Sequence, residues 1–405
     1  MSRLEKLLIA VNLVTYLTLA IFSYAYVDLN LTLSQNPLLL HFVGAMQRLG
    51  YYHRPEATII FILIILFAYL FFGINLFLLQ KKKVGKKFVL TSTVLNTLIL
   101  VFAYPFLSYD IFNYIFDAKI IFHYHLSPYT HTALNFPSDT WIRFMRWTHR
   151  YSPYGPLWLI ISLVPFALGL GKFIFTLFTF KIFMGVFHLL NTYLIYKVLL
   201  KTRPGMALIG TATYSLSPLF LIEGVVNAHN DVVLATFILM SVFFLVHKKK
   251  IYGFGSLALG VLIKYIPLLV LPWHILYYYK QKSLTISRLI TLNLLTMAIF
   301  TYLFSSFRIS VPFVSASATQ VQFQPWYLFW TIPLIALVPG FWSILISVAL
   351  CIGATLRYLP YLYYGDWNHP NVISFMTLVT VIPPALVAAS AAFFKISNYS
   401  RNHEK

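Results

Sequence analysis

SYDIFNYIFDAKIIFHYHLSPYT runs from Ser108 to Thr130, and RYSPYGPLW closes the same stretch from Arg150 to Trp158. Apolar segments flank it on both sides. Yet it holds three of the ten acidic residues (Asp110, Asp117, Asp139) and four of the twelve histidines. Loops longer than ~15 residues are usually functional or disordered, and this one is too aromatic for disorder. Residues 107–155 are therefore expected to form the main outer loop of a membrane protein, carrying the chemistry.

Working outward, composition supports that class. The 405 residues are 60% hydrophobic and only 10% charged, against ~25% charged in soluble domains. The net charge of +20 does not point to nucleic acid, because the basic residues sit in short runs between apolar segments. Lys81–Lys83 with Lys86 and Lys87, Lys201 with Arg203, Lys248–Lys250 and Lys280 with Lys282 are such runs. They follow the positive-inside pattern and suit anionic lipid head groups. The expected fold is all-α and polytopic, one transmembrane domain over residues 1–405 with roughly 11–13 membrane segments, several of them short or re-entrant.

Placing the lysine runs inside orders the chain. Leu7–Val27 exits, Asp28–Glu56 is an outer loop, Ala57–Leu79 returns, and Phe88–Phe106 leads out to the long loop. Pro156–Leu168 is short and expected to penetrate halfway, because a second full crossing would invert every later basic run. Phe173–Leu200 then crosses, and Trp326–Val338 and Phe341–Leu356 are expected to cross as a later pair. This order uses only Lys and Arg, yet eight of the ten acids fall at the outer boundary and only Glu5 and Glu404 inside. The candidate carboxylates thus share one face, which favours an enzyme there over a transporter with charges at the membrane midplane on repeated helices. Phosphate-binding loops of the G-x-x-x-x-G-K-[ST] or G-x-G-x-x-G type are missing from the sequence.

Asp110 and Asp117 are seven residues apart, so on a helix they share a face. Ionisable groups at a membrane boundary are costly and default to function. Asp110 is a candidate catalytic residue, although following Ser108 it could instead cap a helix. Asp117 is a candidate substrate ligand, or a partner of Lys119. Glu223, Asn227, His229, Asn230 and Asp231 compress five polar groups into one outer turn, more than capping the next helix requires. They read as substrate or acceptor ligands. His123, His125 and His131 have metal-like spacing but equally suit a wet interface, so the metal question stays open. Tyr151–Pro156 is a turn that seats the following helix at Pro156. Gln324–Tyr327 reads as a turn with interfacial aromatics. Lys264, Arg308 and Arg357 have no neighbouring acid in sequence and could bind phosphate or reach to head groups.

Asp110–Tyr129, Tyr154-Gly155-Pro156-Leu157-Trp158, His229-Asn230-Asp231, Lys264-Tyr265 and Pro325-Trp326-Tyr327 together resemble the motif set of GT-C fold, polyprenyl-phosphate-mannose-dependent mannosyltransferases. That family's pattern runs D-x-x-x-Y, N-P-Y, Y-G-P-L-W, G-H-N-D in this order. The chain departs from it at Ser127, in place of Asn, and at Ala228, in place of Gly. The resemblance implies an inverting transferase of the plasma membrane with its active site on the extracytoplasmic side. Asp110 is then the base, and Tyr114 and Tyr154 join the substrate-binding set. A polyprenyl-phosphate sugar is the donor and a glycan or glycolipid the acceptor. Lys264, Arg308, Arg357 or a divalent cation would stabilise the departing phosphate. Another lipid-linked-sugar transferase, polymerase or ligase of the same fold is the alternative, and a secondary transporter the alternative from another class.

Overall fold

The computed structural model describes residues 1–280, 284–301, 323–367 and 369–403. Helix makes up 77% of it, with no strand among the described residues. Hydrocarbon imposes that outcome, since each backbone N–H and C=O must find its partner within its own segment. Among the described residues, five helices are long and apolar enough to cross a membrane, or six if one bent pair counts as a single span. The protein is an all-α polytopic membrane protein.

In chain order the helices are α1 (Arg3–Ser23), α2 (Pro37–Tyr52), α3 (Arg54–Gln80), α4 (Lys86–Val101), α5 (Asp110–Phe122), α6 (Pro156–Leu168), α7 (Phe173–Thr202), α8 (Ala207–Ser215) and α9 (Pro218–Leu221). They continue with α10 (Asp231–Val246), α11 (Lys250–Val261), α12 (Leu271–Tyr279), α13 (Ile286–Ile299), α14 (Ile332–Ala336), α15 (Phe341–Leu356), α16 (Leu359–Tyr364) and α17 (Pro370–His403). The centre is α7 and α10, packed on each other and ringed by α4, α5, α6, α8 and α11. α10 is buried along most of its length, so its apolar residues face protein all round, as a central helix requires.

The Ser108–Gly155 stretch is not an irregular loop. α5 occupies its first third, and 3₁₀ turns at Ala133–Asn135 and Thr140–Phe144 shape the rest. α5 forms because Ile111, Ile115 and Ala118 make an apolar stripe at helical spacing, buried in the main core. Lys119 pairs with Asp139 at 2.6 Å and lies 3.8 Å over the Trp141 ring. That fixes the stretch to itself and removes the expected Lys119 partnership for Asp117. The Asp28–Glu56 segment likewise contains α2, opened by the Asn36 side chain, which accepts from Leu38 N and Leu39 N.

One expected crossing changes. Trp326–Val338 is not one continuous helix: a 3₁₀ turn at Pro325–Trp330 and the five-residue α14 take its place. Pro325 and Pro333 each lack the N–H that a helix interior needs. The segment 207–222 does not run straight. It breaks at Ser217-Pro218 by 52° and passes into a π-turn, Ile222–Val226. α6 has 13 residues, about 19 Å of rise, shorter than the hydrocarbon core.

Candidate active site

α5 starts at Asp110, whose amide donates to Ser108 Oγ at 3.3 Å. The helix N-terminus favours a carboxylate there. One turn on, Tyr114 is fully buried between Tyr154 and Trp158, each meeting it edge-on at 5.0 Å. Its hydroxyl donates to Asn230 Oδ1 at 3.4 Å and accepts from Asn230 N, also at 3.4 Å. Two motifs far apart in sequence therefore meet at one phenol.

The Gly155-Pro156 start of α6 has a specific task. Gly155 N donates to Ile263 O at 2.9 Å and Leu157 N to Leu262 O at 3.0 Å, so unpaired donors at the helix start hold the end of the segment after α11. A Cβ on Gly155 would lie 2.2 Å from Leu262 O. Lys264 follows directly, and its Nζ reaches Asp231 Oδ2 at 2.6 Å.

The π-turn supplies the rest. A π-turn lengthens one helical turn and often marks a functional site. Here it brings in Glu223 and leaves carbonyls at its end, which Lys181 of α7 takes up. Lys181 is fully buried, and its Nζ donates to Val225 O at 2.8 Å and Val226 O at 2.6 Å. The chain then turns through Ala228 at φ 58°. That left-handed conformation suits glycine, which explains why the mannosyltransferase pattern carries Gly where this chain has Ala.

Three carboxylates converge on this turn. Glu223 is fully buried, accepting from Tyr358 OH at 2.8 Å and Asn227 Nδ2 at 3.0 Å. Asp231 is also fully buried, accepting from Lys264 on one oxygen and from Trp330 Nε1 at 2.7 Å on the other. Asp110 differs: its side chain is 15% exposed, and it faces His229 Nδ1 at 3.4 Å. The other His229 nitrogen is 3.3 Å from Glu223 Oε2. Neither ring nitrogen makes an aligned hydrogen bond, so the attraction is one of charge. Burial opposes protonation of His229, but Asp110 and Glu223 outweigh it and hold the imidazole up to about 9. That favours the protonated imidazole at neutral pH.

Asp117 lies two turns along α5, buried and close enough to Tyr154 to act on its hydroxyl. Burial pushes its carboxyl up to about 7, with the Ser152 hydroxyl acting in the opposite direction. The cations also differ from expectation. Lys264 is 19% exposed at its side chain and has donors left after its contact with Asp231. Arg357 is buried and donates to Thr380 Oγ1 at 2.6 Å and Phe323 O at 2.8 Å, so it holds helices together rather than reaching for head groups. Arg308 lies outside the described residues. Among the described residues, no three His, Cys, Asp or Glu form a set that could hold a metal.

The structure thus gathers Asp110, Tyr114, Tyr154, Glu223, Asn227, His229, Asn230, Asp231 and Lys264, with Asp117 acting on Tyr154 and Arg357 held by Thr380 and Phe323 next to Tyr358. Sequence reasoning missed Lys181, Tyr358 and Trp330, and took Trp326 as an interfacial aromatic of the motif set. Trp326 stacks on His229 and Trp330 Nε1 donates to Asp231, so both support the site. Lys181 carried a usable signal, being a lone charge eight residues inside an apolar helix.

The family model described as "Alpha-(1->6)-mannopyranosyltransferase, N-terminal domain" matches residues 14–280. That span includes every site residue named above except Tyr358, Trp326 and Trp330. No curated protein and no solved structure matches the chain.

Proposed function

The chain belongs to this alpha-(1->6)-mannopyranosyltransferase family, and from that premise we propose an inverting transfer of mannose from a polyprenyl-phosphate donor to a glycan hydroxyl, with Asp110 as general base. The observation that carries the base assignment is the contrast among the three carboxylates. Both oxygens of Glu223 and of Asp231 have donors. Asp110 keeps acceptor capacity and partial exposure, so an incoming hydroxyl can reach it.

Asp110 takes the acceptor proton while the acceptor oxygen attacks the anomeric carbon. The bond from that carbon to the phosphate oxygen breaks, and polyprenyl phosphate leaves with the electron pair. One displacement inverts the centre, so an α-mannoside requires a β-linked donor. Lys264 is the available cation for the charge that develops on the leaving phosphate. His229 Nδ1 lies 3.4 Å from Asp110 and holds that carboxylate in place beside the acceptor. The aggregation of acids at one end of the bundle, opposite the lysine runs, supports an extracytoplasmic site in the plasma membrane.

Purified protein offered a panel of polyprenyl-phosphate sugars should release polyprenyl phosphate with the mannosyl donor and an acceptor glycan present. Transfer directly from GDP-mannose with no lipid intermediate would remove both donor and mechanism.

A further inference from the structure

α10 runs from Asp231 in the active site to Val246, about 24 Å away at 1.5 Å per residue. At that far end lies a pocket of about 390 Å³ between α7, α10, α12 and α13. Lys201, Arg203 and Lys248 line it, with Ser287 at the start of α13, and Leu245 and Ile290 contribute to an apolar wall. None of its lining residues is acidic, and these three cations take part in none of the ion pairs seen among the described residues.

Two ordinary explanations fall short. Cations near a helix C-terminus answer its dipole, which accounts for Lys201 in the last turn of α7. The end of α10, however, is capped by its own chain, through Lys248 N to Leu245 O and Lys249 N to Phe244 O, which leaves the Lys248 side chain uncommitted. Nor does the positive-inside pattern explain a concave site. Arg203 crosses from the end of α7 to donate to Ser287 Oγ at 3.2 Å, which joins two elements around the cavity.

We propose that this pocket binds the phosphate of an anionic membrane lipid, with the lipid's hydrocarbon against the apolar wall. Basic pockets between membrane helices suit such head groups, and each cation near the surface adds to the attraction. The apolar wall favours a lipid over a soluble phosphate, which would leave that wall wet.

The full-length protein, purified with a 1:1 mixture of phosphatidylglycerol and phosphatidylcholine, should retain the anionic lipid preferentially in native mass spectrometry. The triple change Lys201→Gln, Arg203→Gln, Lys248→Gln should lower that preference at least severalfold. Lys81→Gln, Lys82→Gln, Lys83→Gln removes the same charge from exposed lysines at the same end and should leave most of it. Equal losses in both variants would reduce the effect to general surface charge and overturn the site. Displacement of the lipid by millimolar inorganic phosphate would overturn the lipid assignment in favour of a soluble anion. Should the first triple variant misfold, Arg203→Gln alone carries the test, and unchanged retention in that protein counts against the pocket.

Discussion

His229 lies flat against Trp326, with ring centroids 3.9 Å apart and planes 17° from parallel. Stacking covers the imidazole face and leaves its edges to meet Asp110 and Glu223. Its folded value of about 9 exceeds the ordinary 6.5. The ion pairing therefore contributes stability that is complete below about 6.5 and is lost as pH rises through about 9. His229→Gln removes the positive charge between two carboxylates. Its kcat/KM should fall more at pH 6 than at pH 8, because an uncompensated pair of carboxylates retains a proton more readily. A pH–rate profile of unchanged shape with only KM altered would make His229 a substrate ligand and nothing more.

Asp110→Asn keeps size and hydrogen-bonding capacity but cannot accept a proton. Turnover should fall by ~10²–10⁴, the usual contribution of a positioned base. Donor affinity, measured by equilibrium binding of the polyprenyl-phosphate sugar, should survive. Asp231→Asn should act differently, because it breaks the contact that orients Lys264, and its loss should appear mainly in donor affinity. The reverse pattern, a dead Asp231→Asn with binding intact beside an active Asp110→Asn, would move the base to the other loop.

The membrane class was legible because few charges remain once hydrocarbon has been satisfied, and the survivors mark either a basic boundary or a site. For the same reason Asp110, Glu223, His229 and Asp231 stood out singly. Their partners were not legible. Trp326 and Trp330 look like any boundary aromatics until tertiary packing brings them over His229 and Asp231. Tyr358 lies 135 residues from the Glu223 that it bonds. Trp326–Val338 misled because counting apolar length ignores helix continuity, which Pro325 and Pro333 interrupt.

Asp117 makes a prediction opposite in sign to most buried carboxylates. Its value rises from 3.8 to about 7 on folding, so the folded chain holds a proton that the unfolded chain has released. Its ionisation therefore costs stability progressively between those pH values and in full above them. Asp117→Asn removes that cost. Its Tm in detergent should exceed that of the unaltered protein by a few degrees at pH 8 and match it near pH 4. Equal Tm values at pH 8 would mean that water or substrate groups solvate the carboxylate.

The proposed orientation rests on the lysine runs and can be checked directly. In a Cys351→Ser background, Ser138→Cys should react with an impermeant thiol reagent in intact cells, and Gly205→Cys should react only after permeabilisation. Both positions are exposed, and Gly205 has open space for a side chain. Reaction at Gly205 from outside would invert the protein and place the site on the cytoplasmic face.

Gly155 joins backbone geometry to chemistry most directly. With a Cβ only 2.2 Å from Leu262 O, Gly155→Ala must push α6 away from the chain that leads to Lys264. The hydrogen bonds from Gly155 N and Leu157 N to Ile263 and Leu262 would lengthen together. Overpacking of this kind costs about 1–3 kcal/mol, so Tm should fall by several degrees. Because Lys264 follows that carbonyl pair, it should lose its alignment with Asp231, and the cation meant for the donor phosphate should shift. KM for the donor should therefore rise more than kcat falls, whereas a purely structural lesion would lower the active fraction and leave KM as it was. Leu157→Ala supplies the comparison: it trims a side chain on the same turn but leaves both backbone hydrogen bonds in place. A donor KM that rises equally in both proteins would show that the junction does not position Lys264.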